Sequence, residues 1–355
     1  MKKKTLSALL VAALLAIPVV SGCSSGSETN ASGNTPAANS SAEGATNPQP
    51  ESLDYPTKPI DFVVPFAAGG SNDLVARTIA GYLSEEWGQT INVVNKPGGG
   101  GAVGLQEVLK NSKPDGYTVV AVSTSSTSAL LAGNTSLPFG LEDFKFISKV
   151  VEDPITFVVK ADAPWKDLKE FSEWAKNNTD QLSYATPGPS GTSTYATAEW
   201  LDAIGADFSK ARLITSTGSA DSLPKVAGGH ITVAALGVND VSSMVNAGKI
   251  KILGVSSKER SKYFPDVPTA EEQGIQNLTV SFWNGVAAPA GTPDEIVKKW
   301  DDAIAKMTKD PKFEEMLKKI NSESAYLNSA DLKKQVEEEL EKVTKIAIEK
   351  GLRKQ

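Results

Sequence analysis

The chain has 355 residues, 40% hydrophobic and 22% charged, with 36 Lys and Arg against 42 Asp and Glu, one Cys and one His. That length leaves room for two domains of ordinary size and a core that stands without crosslinks. One cysteine excludes an intrachain disulfide, one cysteine and one histidine exclude Cys/His zinc sites and dithiol redox chemistry, and a formal charge of -6 argues against a nucleic-acid partner.

The first residues read as an address. Lys2, Lys3 and Lys4 precede an apolar run over residues 6–20, short of the roughly twenty residues a membrane span needs, so residues 1–22 are expected to be a secretory signal. The run ends in Val20-Ser21-Gly22-Cys23, which resembles the lipobox of bacterial lipoproteins and implies a mature chain that starts at a lipidated Cys23. Residues 24–53 are Ser, Asn, Thr, Ala, Gly and Pro with three Glu, one Gln and one Leu. Such a segment cannot build a core and is expected to be a disordered tether reaching about 30 Å.

From Tyr55 onward, β-branched runs alternate with amphipathic stretches, the α/β pattern: strands over 60–66, 90–95 and 117–123, helices over 74–87 and 103–110. The strand Asp61-Phe62-Val63-Val64 runs into Pro65-Phe66-Ala67-Ala68-Gly69-Gly70, and Ser71-Asn72-Asp73 supplies N-cap residues for a helix that Gly88 closes. A Gly-Gly turn at a helix start exposes free N–H groups in a positive dipole field, which suits a carboxylate; a plain tight turn is the competing reading. Asp73 and Arg77, four residues apart, are expected to pair locally. The design recurs with the strand 182–186, the loop 187–191 and a helix opened by Thr192 and Ser193, and again at Ser216-Thr217-Gly218-Ser219 after the strand 212–215.

A Gly-x-Gly-x-x-Gly spacing at Gly99, Gly101 and Gly104 lacks the acidic residue expected about twenty positions on. Residues 98–101 are therefore read as a loop whose glycines permit positive φ or close packing. No Gly-x-Ser-x-Gly elbow exists, and His230, the one histidine, sits at a helix-to-strand turn, where a solvated role is expected. Glu271, Glu272 and Glu337 to Glu339 fall in helical charge runs expected to face solvent. No catalytic residue, metal site or cofactor is indicated.

The order Tyr55-Pro56-x-Lys58-Pro59-Ile60, Val64-Pro65-Phe66-x-Ala68-Gly69-Gly70-x-x-Asp73-x-x-Ala76-Arg77, Asn95-Lys96-Pro97-Gly98 and Pro114-Asp115-Gly116-Tyr117-Thr118 resembles the substrate-binding proteins of tripartite tricarboxylate transporters, the Bug family. Ala247-Gly248-Lys249-Ile250-Lys251, Phe264-Pro265-Asp266-Val267-Pro268-Thr269 and Ala288-Pro289-Ala290-Gly291-Thr292-Pro293 continue the match to about residue 350. The resemblance implies an α/β, two-lobe, periplasmic-binding-protein-like (type II, Venus-flytrap) fold. Lobe 1 would comprise 54–156 plus 283–355 and lobe 2 would comprise 157–282, with crossovers near 155–159 and 281–287. It also implies a receptor, not an enzyme, that closes on a small organic acid and delivers it to two membrane subunits. With the lipid anchor, this puts the chain on the outer face of the cytoplasmic membrane, or in the periplasm of a two-membrane cell, as a monomer. A sensor feeding a signalling partner and an exported small-acid enzyme are the alternative functions.

By the same resemblance, the first-lobe loop Phe66, Ala68, Gly69, Gly70 and Ser71 would hold one ligand carboxylate. Ser123 and Thr124 would add to it, and Thr186, Ser190, Gly191, Thr192, Ser216, Gly218 and Ser219 would face it from the second lobe. Trp283 is a candidate for the cleft lining and equally for the core. Departures from the family pattern cluster in the second lobe, at residues 184–194, Ser216-Thr217-Gly218 and Thr232, and favour recognition there by neutral hydroxyls and backbone donors.

Overall fold

The computed structural model describes residues 53–186, 190–278 and 280–353. The predicted signal segment, Cys23 and nearly all of the tether lie outside the described residues, and Ser52–Gln355 forms one compact unit.

In chain order the first half runs β1 (Ile60–Val64), α1 (Ser71–Trp87), β2 (Ile91–Asn95), α2 (Ala102–Asn111), β3 (Thr118–Ser123), α3 (Ser128–Gly133), β4 (Phe144–Asp153), β5 (Ile155–Lys160) and α4 (Leu168–Asn177). The middle continues with β6 (Ser183–Thr186), α5 (Thr192–Ala203), β7 (Arg212–Thr215), α6 (Ser219–Ala227), β8 (Ala234–Gly237), α7 (Val238–Asn246) and β9 (Ile250–Val255). The last part is β10 (Phe282–Pro289), α8 (Asp294–Met307), α9 (Pro311–Lys318), β11 (Ser324–Leu327) and α10 (Ser329–Glu349).

A six-stranded sheet has the order β11-β4-β10-β3-β1-β2, parallel within β3-β1-β2 and antiparallel where β10 and β11 pair. Both faces are covered, and the alternation of side chains shows it: Ile60, Phe62 and Val64 enter the cluster under α1, α8 and α9, while Val63 enters the cluster under α2 and the start of α10. The second body carries the sheet β8-β5-β9 and the parallel pair β6-β7, which Tyr184 and Val233 join by a single bridge. There Phe157, Phe171, Trp200 and Leu253 share one cluster, and Val158, Val226, Ala234 and Val241 share the other.

The chain leaves the first sheet after Asp153 and enters the second at Ile155, with Pro154 between them; it returns at Phe282. A third link is α10, whose Asn328 cap accepts the Asp331 N–H at 2.9 Å. Leu332 and Val336 of α10 are buried in the first body, whereas Val343 and Ala347 are buried in the second. Burial of Val343, worth about 1.5–3 kcal/mol, outweighs the partly exposed surface pair Lys350–Asp202, a type worth about 0.2–1 kcal/mol. The C-terminal helix therefore packs on both bodies.

Trp283 lies in the core: it is fully buried among the aliphatic side chains of the first body, and its Nε1–H donates to Glu339 Oε1 at 2.9 Å. Glu339 in turn departs from the solvated face expected of residues 337–339. It accepts from Gln335 Nε2 at 2.7 Å and Ser128 Oγ at 3.0 Å, and burial pushes its carboxyl up. Glu337 and Glu338 are exposed.

Candidate functional site

The loop from β1 into α1 turns at Gly69, whose φ of +85° is the left-handed region open to a residue without Cβ. Gly70, not Ser71, Asn72 or Asp73, is the N-cap of α1, and no side chain caps from that position. Asp73 instead reaches back to accept the Gly69 N–H at 2.9 Å, together with Arg77 Nε at 3.0 Å and Asn95 Nδ2 at 2.9 Å. Burial opposes its charge, but donors from Arg77, Gly69 and Asn95 prevail and hold the carboxyl below its usual range. The expected local pair of Asp73 and Arg77 is present at 2.9 Å.

The two bodies meet over this loop. The first N–H of α1, on Ser71, donates to Asp240 Oδ1 of α7 at 2.8 Å, and Asn239 Nδ2 donates to Ser71 Oγ at 2.8 Å. Ser219 Oγ donates to the same Asp240 oxygen at 2.5 Å. Burial pushes Asp240 up to about 6, against the pull of the Ser219, Ser71 and Gly237 donors. Further along the seam, Ser125 Oγ and Thr192 Oγ1 lie 2.6 Å apart, and Tyr195 OH donates to the Ala129 carbonyl at 3.3 Å.

Two adjoining cavities open along the seam. The larger, of about 400 Å³, lies between Gly98–Gly101, Ser125, Leu130 and Asn134 on one side and Ser190, Gly191 and residues 215–217 on the other. The smaller, of about 40 Å³, lies at the start of α1, between Gly70, Ser71 and Asn72 and the facing Thr192, Gly218, Ser219 and Asp240. Phe66 and Ser125 line both. Among the described residues that line them, Asp240 is the one ionisable side chain, and no Lys, Arg or His is present. Ser216 Oγ is buried with no hydrogen-bond partner in a residue that lines the larger cavity, so a donor and acceptor is held there without a use inside the protein.

Of the residues singled out from sequence, Phe66, Ser190, Gly191 and Ser216 line the larger cavity, and Phe66, Gly70, Ser71, Thr192, Gly218 and Ser219 line the smaller. The others line neither. Ala68 and Gly69 are exposed on the outside of their loop. Ser123 is buried at the end of β3 with its N–H on Ser126 Oγ, and Thr124 Oγ1 donates to the Ser281 carbonyl where the chain crosses between bodies. Thr186 is buried against Thr194 at 3.1 Å. Thr232 bonds Ser183 at the edge of the β6 pair instead of facing the cleft.

Sequence reasoning missed Ser125, Asp240 and the role of residues 98–101. Ser125 stands one and two residues past the positions chosen at the end of β3. The four glycines have φ of +144°, +58°, +69° and +106°, and Gly101 lies against the Phe66 ring. Their conformation was legible; that they wall a cleft was not. Asp240 carries no motif at all.

Two α/β bodies joined at Pro154 and Ser281, closing over polar loops at helix starts, define a two-lobe periplasmic binding protein fold. The known protein described as "Structure of periplasmic binding protein BugD" superposes with a TM-score of 0.77 at 30% identity, over 85% of this chain and 100% of that one. MatC from Rhodopseudomonas palustris, solved with bound malate, superposes with a TM-score of 0.75 at 26% identity, over 82% and 99%. The "UPF0065 protein in gbd 5'region" of Cupriavidus necator is 33% identical over 304 residues, 84% of this chain and 90% of that protein. Residues 75–352 match the tripartite tricarboxylate transporter family receptor, TctC. The chain belongs to that family and is a solute-binding receptor.

Proposed function

We propose that this receptor captures a small organic carboxylate between its lobes and hands it unaltered to two membrane subunits of a tripartite transporter. The observation that carries the reading is the cleft of about 400 Å³ between the lobes, walled by hydroxyls, glycines, Asn134 and the apolar Phe66 and Leu130, with the unpartnered Ser216 Oγ on its lining. The relative with bound malate supports the ligand class. Lobe 1 is 54–156 plus 283–355 and lobe 2 is 157–282, with α10 packing on both. Phe66, Ser190, Gly191 and Ser216 contact the ligand, and Ser71, Thr192 and Ser219 hold the closed form around it.

Binding of this kind needs no bond to break. A ligand resting on one lobe gains its remaining contacts only when the second lobe closes, so it shifts the open-closed equilibrium by its differential affinity for the closed state. Residues 1–22 are removed as a signal, and Cys23 carries the lipid that holds a monomeric receptor at the outer face of the cytoplasmic membrane through the 24–53 tether. Among the described residues no helix is long and apolar enough to cross a membrane.

Thermal unfolding of Ser52–Gln355 against mono-, di- and tricarboxylates and amino acids tests the reading. A specific ligand at a hundred times its dissociation constant adds about 2.7 kcal/mol, a shift of several degrees. The expected result is that at least one acid raises the midpoint and is recovered intact. No shift with any acid, or recovery of a converted product, overturns it.

A further inference from the structure

The start of α1 is where a ligand carboxylate would be expected, and the protein already holds a carboxylate there. Asp240 Oδ1 accepts the Ser71 N–H at 2.8 Å, so the helix-terminal donor is taken by the facing lobe. Among the described residues, the groups acting on the Asp240 carboxyl are Ser219, Ser71 and Gly237, with no cation among them, and no Lys, Arg or His lines either cavity. The polar groups around it are neutral hydroxyls and amides, among them Ser71, Thr192 and Ser219. Asn72 lines the same small cavity, and its Oδ1 has no donor. Asn239 and Asn284 both aim Nδ2 at Ser71 Oγ, which leaves Oδ1 of each buried without a donor.

A compartment lined by hydroxyls, an orphaned amide oxygen and one carboxylate, with no cation, disfavours a second ligand carboxylate. A like charge placed there meets repulsion in a partly dry cleft, whereas a cation offsets the Asp240 charge beside the orphaned Asn72 Oδ1. An ammonium is small enough for a compartment of about 40 Å³, and that compartment shares Phe66 and Ser125 with the larger cavity. At the other end, the larger cavity offers neutral donors: Ser216 Oγ, and the backbone of Gly98–Gly100, the Gly101 N–H being taken by the Gly98 carbonyl at 3.0 Å. From this juxtaposition we infer that the receptor takes a zwitterion, a carboxylate bearing an amine, with its ammonium on Asp240 in the small compartment and its carboxylate against Ser216 and the glycine loop in the large one. This rests on the carboxylate-receptor reading and narrows its ligand class.

The test is isothermal titration and thermal unfolding of the purified full chain against matched sets. The α-amino acids are each compared with their des-amino acids, γ-aminobutyrate with succinate and butyrate, and ε-aminocaproate with adipate and hexanoate. The expected result is that an amino carboxylate binds while its dicarboxylate and des-amino partners bind at least about 30-fold more weakly, the scale of breaking one side of a buried charge pair. Asp240→Asn should remove that preference and let the matched dicarboxylate bind. Since the des-amino comparison alters the ligand alone, it decides the matter even where the variant does not fold. A dicarboxylate binding the wild type as tightly as its amino partner, or an Asp240→Asn variant that folds and keeps its affinity for the amino carboxylate within threefold, overturns the inference and leaves the receptor reading standing. If no acid of any set binds, the receptor reading fails with it.

Discussion

At Ser216 a hydroxyl is buried without a partner, and that makes a clean experiment. Its Oγ bonds nothing in the protein, so Ser216→Ala should leave the unfolding midpoint within about 1 °C. Loss of a hydrogen bond to the ligand's carboxylate, about 1.5–3 kcal/mol, should weaken binding by roughly 12- to 160-fold for whichever acid shifts the wild type. Paired unfolding and titration curves check both halves. Other residues show why chemistry alone misleads. Glu339 sits in a run that reads as a solvated helix face, yet it takes the Trp283 Nε1–H, because the turn of α10 that carries it lies over the first body. Asp73 and Arg77 were readable, since their contact is set by helix spacing; Asp240 and Ser71 were not, since theirs spans 169 positions of chain.

Elements were the more legible scale. The strand and helix of the first unit, the Gly88 cap at φ +63° and the strand Arg212–Thr215 all follow from local pattern and fall where it puts them. How one element meets another did not follow. Gly133 ends α3, and a Cβ there would lie 2.1 Å from Ser190 Oγ and 2.4 Å from Ser190 Cβ on the facing lobe. Gly133→Ala should therefore hold the lobes apart while costing α3 nothing, since Ala favours a helix over Gly by about 1 kcal/mol. The expected outcome is a larger radius of gyration by X-ray scattering with ligand present, and affinity reduced about tenfold or more. An unchanged closed radius and affinity would show that the Ser190 loop moves aside freely.

For the molecule as a whole, acidity is the lever. Burial pushes Asp153 up to about 7 and Asp240 up to about 6, and raises Glu339 as well, each against its own hydrogen-bond donors. Around Asp153 stand Ser322 and Glu323, with Asp240 and Tyr263 adding no positive charge. Raised carboxyls bind protons more tightly folded than unfolded. For Asp153 and Asp240 that contribution is complete below about pH 4 and is lost as pH rises through 6 to 7, at up to about 1.4 kcal/mol per pH unit for each group. Asp73 and Asp143, held low by their donors, act in the opposite direction but at lower pH. Urea unfolding between pH 5 and 8 should show the midpoint falling with pH, and Asp153→Asn should flatten that slope. A midpoint that rises across the interval would contradict the assignment.

The sequence by itself determined the alternation of strands and helices, the family, and the loops that gather at the cleft, because each is written in local periodicity, turn chemistry and ordered motifs. Only the tertiary structure decided that α10 packs on both lobes, that Ser125 and Gly98–Gly101 wall the cavity in place of Ser123 and Thr124, and that Asp240 occupies the start of α1. The reason is geometric. A helix start is visible in a few consecutive residues, but whatever completes it comes from the opposite lobe, and a contact across the cleft leaves no period or spacing along the chain.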